Sequence, residues 1–257
     1  MATLSKTQID RLGDRLKKGS PGEEETRLLE EYRGSFGDAC DSVIKDIREQ
    51  LQLEPTGRPA KTIPSIIQKL RRESIRLSQI QDIAGCRVVV ADTTKQDAVV
   101  TSIRSLFPGA TIVDRRLNPS HGYRAVHLVA RISEKLVEIQ VRTELQHLWA
   151  ELSERCSDVY DPGLKYGVGD PQSLTFLKDT SEYVAQIENI EKDIPKLENI
   201  IVSMQTTEGD DPELPKQANV TKLQLIEAKD AFIRAKKMLL SGFAALIAGL
   251  EKQKGTK

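Results

Sequence analysis

Apolar residues along the chain change period twice. In the first third they recur at helical spacing: Leu28, Leu29, Tyr32 and Phe36 follow Ser20-Pro21-Gly22-Glu23, which has the form of a capping box with proline at the first helical position. A second helix is expected through Cys40, Val43, Ile44 and Ile47. The segment EPTGRPAK, residues 54–61, carries two prolines and a glycine and reads as a loop before a helix from about Pro64 to Leu77. In the middle third the pattern turns to β-branched runs, CRVVVAD (86–92), ATIVDRR (110–116), YRAVHLVAR (123–131) and LVEIQVRT (136–143). A helical stretch is expected near 95–106 and another from Glu144 to about Ser157. Strands and helices mixed in this way indicate an α/β or α+β sheet covered by helices.

The last third returns to steps of three and four. Ile187, Ile190, Ile194, Leu197, Ile201 and Met204 form a heptad seam carrying Pro195, an expected kink. After the acidic loop TTEGDDPELPKQ, Ile226, Ile233, Leu240 and Ile247 recur every seven residues, each preceded by an apolar neighbour. Two amphipathic helices joined by a loop predict a helical hairpin. Its simplest role is to pack on the rest of the chain or on itself. The segment SGFAALIAGL has more apolar positions than one stripe needs, so a docking or oligomerisation surface is the sharper expectation.

Composition narrows the partners. Lys and Arg total 38 and Asp and Glu total 38, so no overall field draws the chain to nucleic acid or membrane, and any polyanion site must be local. The opening MATLSKTQIDRLGDRLKK lacks an apolar signal core, and the run Gly242 to Leu250 is far short of the ~20 residues of a membrane span. A cytoplasmic protein without membrane contact is expected. Cys40, Cys86 and Cys156, with His121, His127 and His147, lack the spacing of a disulfide framework or zinc site, so the cysteines are expected reduced and mostly buried.

Within LVEIQVRT, Val137, Ile139 and Val141 alternate with Glu138, Gln140 and Arg142, which puts a carboxylate, an amide and a guanidinium on one strand face. Taken alone, that is the outer face of any half-buried antiparallel strand. Other clusters change its weight. Lys61, Ser65 and Lys69, spaced by four, fall on one helix face near its N-terminus, where amides and the helix dipole also favour an anion. Asp82 and Glu138, on separate strands, would suit Mg2+, which takes oxygen ligands and is completed by phosphates and water. The plainer alternative has Asp82 capping a turn and Glu138 paired with Arg142.

The motifs DIAGCR, GYRAVHLV and VEIQVRTELQHLWAE closely resemble the synthetase domain of the RelA/SpoT family, over roughly residues 55 to 160 and in family order. The resemblance implies an α+β fold, with a central mixed sheet of nucleotidyltransferase-like type flanked by helices and followed by the C-terminal hairpin. It also implies an ATP-dependent pyrophosphokinase that moves the β,γ-diphosphate of ATP onto a ribose 3′-hydroxyl. On it, Asp82 and Glu138 would be Mg2+ ligands and Glu138 the base, supported by Gln140. Arg58, Lys61, Ser65, Lys69 and Arg87 would hold ATP. Tyr123 would stack on the acceptor base, with His127 and Arg142 beside the acceptor or its phosphates.

Alarmone synthetases commonly carry Arg-x-Lys in the ATP loop, and an acceptor loop of the form Pro-Lys-x-Asn-Gly-Tyr followed by Ser-Leu-His. Here Arg58 precedes Lys61 by three, and the acceptor loop reads PSHGYRAVH. With LQHLWAELSE, this is most similar to the toxic small synthetases that modify the 3′ CCA end of tRNA and inhibit translation. On this resemblance tRNA is the expected acceptor, with Lys17, Lys18, Arg115, Arg116 and Arg124 as candidate contacts. GTP or GDP, the acceptors of an alarmone synthetase, are the alternative. A silent nucleotide-binding scaffold is a further alternative, against which stands the joint presence of Asp82, Tyr123, His127 and Glu138. The expected organisation is N-terminal helices over 1–50, the pyrophosphokinase domain over 51–168 and the hairpin over 169–257. An antitoxin or regulatory protein, or a second copy of the chain, would be the partner of the hairpin.

Overall fold

The computed structural model describes residues 4–58, 60–206 and 214–254. Its elements run α1 (Lys6–Lys18), α2 (Glu23–Gly34), α3 (Gly37–Leu51), β1 (Thr56–Arg58), α4 (Ile63–Arg72), β2 (Ala84–Val90), α5 (Thr93–Leu106), β3 (Thr111–Asp114), β4 (Val126–Ile132), β5 (Lys135–Thr143), α6 (Glu144–Val159), α7 (Pro171–Thr206) and α8 (Leu214–Lys254), with 3-10 turns at Leu77–Gln79 and Leu164–Tyr166. The fold class is α+β, as expected. The chain divides into two compact units, Met1–Val89 with Ala98–Asp114 and Val126–Val141, and Val90–Asp97 with Arg115–Ala125 and Arg142–Lys257.

The first unit carries a mixed five-stranded sheet in the order β1-β2-β5-β4-β3. β4 and β5 pair antiparallel with His127 opposite Gln140 and Val129 opposite Glu138. Its core joins Leu12, Leu16, Leu29, Val43, Ile47, Ile66, Leu70 and Ile83 to Val88, Leu128, Val137 and Ile139, all essentially removed from water.

Several local expectations shift. The loop expected at 54–61 contains β1, whose Thr56, Gly57 and Arg58 pair antiparallel with Arg87, Cys86 and Gly85. A three-residue edge strand centred on glycine is too short to show alternation. The capping box expected at Ser20 does not form: the N-cap is Gly22, which has no side chain to cap with and whose N–H donates to the Glu25 carboxylate at 3.1 Å, so Pro21 lies outside the helix. α4 stops at Arg72, because Glu73 is extended (φ −109°, ψ 139°), and Leu77 is buried through the 3-10 turn.

The second unit is built on α6, α7 and α8. Leu145, Trp149, Leu152 and Cys156 of α6 form one core with Leu177 and Val184 of α7 and with Phe243 and Leu250 of α8. The single tryptophan of the chain donates its indole N–H to the Leu177 carbonyl at 3.0 Å and to Thr180 Oγ1 at 3.1 Å. Pro195 lies inside α7. The expected seven-residue repeat holds only in the second half of α8: Leu240 and Ile247 pack on the core, whereas Ile226 and Ile233 are exposed and their neighbours Leu225 and Phe232 are half-buried. α8 begins at Leu214, earlier than the expected loop to Gln217; residues 207–213 of that loop lie outside the described residues. Cys40, Cys86 and Cys156 are free and buried. Among the described residues no helix is long and apolar enough to cross a membrane.

Candidate active site

The polar row of β5 is not a solvated face. Glu138 is 8% exposed, Gln140 4% and Arg142 2%, as buried as the valines and isoleucine between them. Buried charge is costly unless it is paired and hydrogen-bonded. In the first unit Glu138 is paired on both oxygens: His127 Nδ1 lies 2.9 Å from Oε1, while Arg58 Nη1 at 2.9 Å and Gln140 Nε2 at 2.6 Å donate to Oε2. Burial pushes the Glu138 carboxyl up, but the hydrogen bond and charge of His127 and the charge of Arg58 outweigh it, holding the group below its ordinary range.

Asp82 lies just before β2 in the same unit and is clamped by two ammonium groups, Lys61 Nζ on Oδ2 and Lys69 Nζ on Oδ1, each at 2.9 Å. Burial again pushes the carboxyl up, and the two lysines outweigh it, bringing it down to about 2. The expected face near the helix N-terminus needs two corrections: Lys69 lies in the last turn of α4, and Lys61 precedes the helix. Thr62 is the N-cap of α4, and the Lys61 N–H instead donates to the Ile83 carbonyl at 2.8 Å. Ser65, in the first turn of α4, has its hydroxyl 2.9 Å from that of Thr62. Arg87 lies on β2 opposite Thr56. Cys86, one residue earlier, is pushed up to about 12 by burial and is inert as a nucleophile at neutral pH.

Tyr123, Arg142, Arg115, Arg116 and Arg124 belong to the second unit. Pro119-Ser120-His121-Gly122-Tyr123 forms a tight turn: His121 has φ 52°, Gly122 has φ 88°, and the Tyr123 N–H donates to the Ser120 carbonyl at 3.0 Å. Two successive positive φ values are the pattern of a type I′ turn, which a histidine adopts only under strain. The Tyr123 hydroxyl accepts from Arg142 Nη2 at 2.9 Å, with that guanidinium 5.0 Å from the ring centroid. Arg116 is engaged by Asp97 at 2.6 Å, and Arg124 Nε donates to Ser181 Oγ at 3.2 Å. The Arg115 N–H donates to the Ala125 carbonyl at 2.9 Å. Lys17, in the first unit, donates to the Ile75 carbonyl at 2.7 Å.

Residues 57–160 match the family model described as "Region found in RelA / SpoT proteins". The resemblance covers two fifths of the chain. Over 113 residues the chain is 42% identical to an uncharacterized protein of Mycobacterium tuberculosis, covering 42% of this chain and 41% of that one. Over 120 residues it is 35% identical to the GTP pyrophosphokinase YjbM of Bacillus subtilis, covering 41% of this chain and 56% of that one. The chain thus spans between two fifths and three fifths of the length of these curated relatives. Among solved structures, the small alarmone synthetase 1 of Bacillus subtilis bound to its product pppGpp aligns with a TM-score of 0.48 at 25% identity, over 68% of this chain and 98% of that one. The predicted site residues from Arg58 to Arg142 fall inside the matched region, and the candidate contacts Lys17 and Lys18 lie outside it.

Three residues that the sequence reading passed over support the same elements. Gly85 of the matched region has no room for a side chain: a Cβ there would fall on the Glu138 carbonyl oxygen. Beyond the region, α7 buries the stripe Leu177, Ser181, Val184 and Glu188, at helical spacing. Ser181 Oγ donates to the Gly122 carbonyl at 2.5 Å, and Glu188 accepts from Thr143 Oγ1 at 2.5 Å and from Gln146 Nε2 at 3.1 Å. Two polar residues at core positions of an amphipathic helix were the available signal.

Proposed function

We propose that the chain is an ATP-dependent pyrophosphokinase that transfers the β,γ-diphosphate of ATP to the 3′-hydroxyl at the CCA end of tRNA. The observation that carries this reading is the buried cluster of the first unit, in which every oxygen of Asp82 and Glu138 meets a cationic or polar donor. Lysines and an arginine set around two carboxylates suit a site whose substrate brings its own phosphate charge and a divalent ion. In the step, the ribose 3′-oxygen bonds to the β-phosphorus, the bridge between α and β phosphates breaks, and AMP leaves. Glu138, ionised at neutral pH, takes the hydroxyl proton, and Gln140 and His127 hold it in place. Lys61, Lys69, Arg58, Ser65 and Arg87 would bind the phosphates, and Tyr123, Arg124 and Arg142 the acceptor.

Asp82 and Glu138 fit Mg2+ as a partial ligand set. Among the described residues no three of His, Cys, Asp or Glu are placed to hold a metal ion by themselves, so phosphates and water would complete the shell. Bound there, the ion would neutralise charge on the transferred diphosphate.

The RNA acceptor rests on the loop Pro119–His127, which lacks the lysine and asparagine that alarmone synthetases commonly carry there. GTP or GDP is the second reading, and the name of the Bacillus subtilis relative, a GTP pyrophosphokinase, favours it. Purified chain incubated with γ-labelled ATP, Mg2+ and either tRNA or GDP separates the two. Label in tRNA is expected; label in guanosine polyphosphate alone makes the second reading correct. Glu138→Gln should lower transfer at least about a hundredfold with the fold retained by circular dichroism. Near-normal turnover by that variant would remove Glu138 from the chemistry.

A further inference from the structure

In the second unit a cavity of about 340 Å3 opens beside the His121–Gly122 turn. Its wall is apolar where Leu174 and Leu177 line it and polar where Arg124, Lys178, Ser181 and His121 do. The size lies in the range of about 300–1,000 Å3 typical of small-molecule sites. The polar side is organised. Arg124 is fixed by its Nε bond to Ser181 and by a second bond from Nη1 to the Arg116 carbonyl, and Ser181 also holds the Gly122 carbonyl. The loop itself is set against its supports: a Cβ on Gly122 would meet Trp149 Cζ2 at 2.7 Å, and one on Gly167 would fall on the His121 ring.

We infer that this cavity is a subsite for the nucleotide preceding the acceptor nucleotide, in a single-stranded RNA 3′ end. The inference rests on the RNA reading proposed above and adds where a polynucleotide is told from a mononucleotide. Three features point to this occupant. Gly122 and Arg124, which line the cavity, flank Tyr123, the residue proposed to take the acceptor base, so the next nucleotide of a continuous strand has only a short way to run. An apolar wall beside an imidazole suits a base face, and a fixed guanidinium with an exposed lysine suits the linking phosphate, the combination by which proteins hold single strands. Glu182, also on the rim and 4.0 Å from Lys178, opposes a phosphate and so sets the local charge balance.

The test is an acceptor ladder with γ-labelled ATP: adenosine 5′-monophosphate, the dinucleotide CpA and the trinucleotide CpCpA. The full chain should gain at least about tenfold in kcat/KM on passing from the mononucleotide to the dinucleotide. Lys178→Glu should raise KM for CpCpA about tenfold and flatten the ladder, whereas Glu182→Lys should lower that KM. Both positions are exposed, and circular dichroism checks that the fold is kept. Equal use of all three acceptors by the natural chain, or a ladder unmoved by both charge changes, would overturn the subsite while leaving RNA as acceptor. Label entering GDP but no adenosine-ended acceptor would overturn the RNA reading and the subsite together.

Discussion

Gly85 carries a constraint that no titration reveals. It stands on β2 where the backbone of Glu138 on β5 leaves no space for a methyl group, so the strand that presents the carboxylate is held at its distance by the absence of a side chain. Gly85→Ala must move backbone, which has little freedom to give. Overpacking of this kind costs about 1–3 kcal/mol, and the shift is applied to the residue that also meets His127, Arg58 and Gln140. Activity should therefore fall further than stability. Urea denaturation is expected to register a loss in that range, with transfer reduced more than tenfold under conditions where the variant is still fully folded; parallel losses would mean that the glycine serves the sheet alone.

At the scale of elements, α7 reaches the start of α6 through Glu188. This buried carboxyl is pushed up by desolvation, and its bonds to Thr143 and Gln146 and the charge of Arg124 do not bring it back to its ordinary value. A carboxyl raised on folding contributes stability that is complete below its unfolded range and is lost as pH rises through the folded value. Glu188→Gln keeps the shape without the charge. It should therefore be more stable than the natural chain at pH 7, by an advantage that shrinks as pH falls below the ordinary carboxylate range, as thermal melts at pH 4 and pH 7 would record.

The strands of the sheet were legible because β-branched runs alternate over several residues, and β2, β4 and β5 appear within three residues of where the pattern puts them. The strand β1 was not, since three residues around a glycine carry no period. The carboxylates and their lysines were legible as types and spacings. That Arg58 holds Glu138 was not, because the contact joins residues 80 positions apart. Nor was the part taken by α7: a heptad reading scores apolar positions and passes over Ser181 and Glu188, which lie on the same buried stripe.

For the whole molecule, compactness does not follow chain order. The second unit gathers residues 90–97, 115–125 and 142–257, so the turn at Ser120–Tyr123 belongs with α7 and α8 although it lies inside the matched region. A chain ending at residue 168 would lose Leu177, Val184, Phe243 and Leu250 from the core around Trp149 and uncover Leu145, Leu152 and Cys156. Burial of each large apolar side chain contributes about 1.5–3 kcal/mol, so losing four removes an amount comparable to the whole margin of a typical domain. The shortened chain is expected to aggregate or to melt without cooperativity in a urea titration. A soluble, cooperatively folding product would show instead that α7 and α8 are an appendage.

The indole of Trp149 stands where a side chain on Gly122 would fall, and its N–H is bonded to α7. Because it is the only tryptophan in the chain, its emission is a reporter placed by the fold against the acceptor turn. Excited at the red edge of its absorption, the protein should change in intensity or wavelength when an acceptor settles on that turn and stay unchanged with adenosine triphosphate alone. The order of substrate binding could then be followed by stopped-flow optics, without label and before any bond is made.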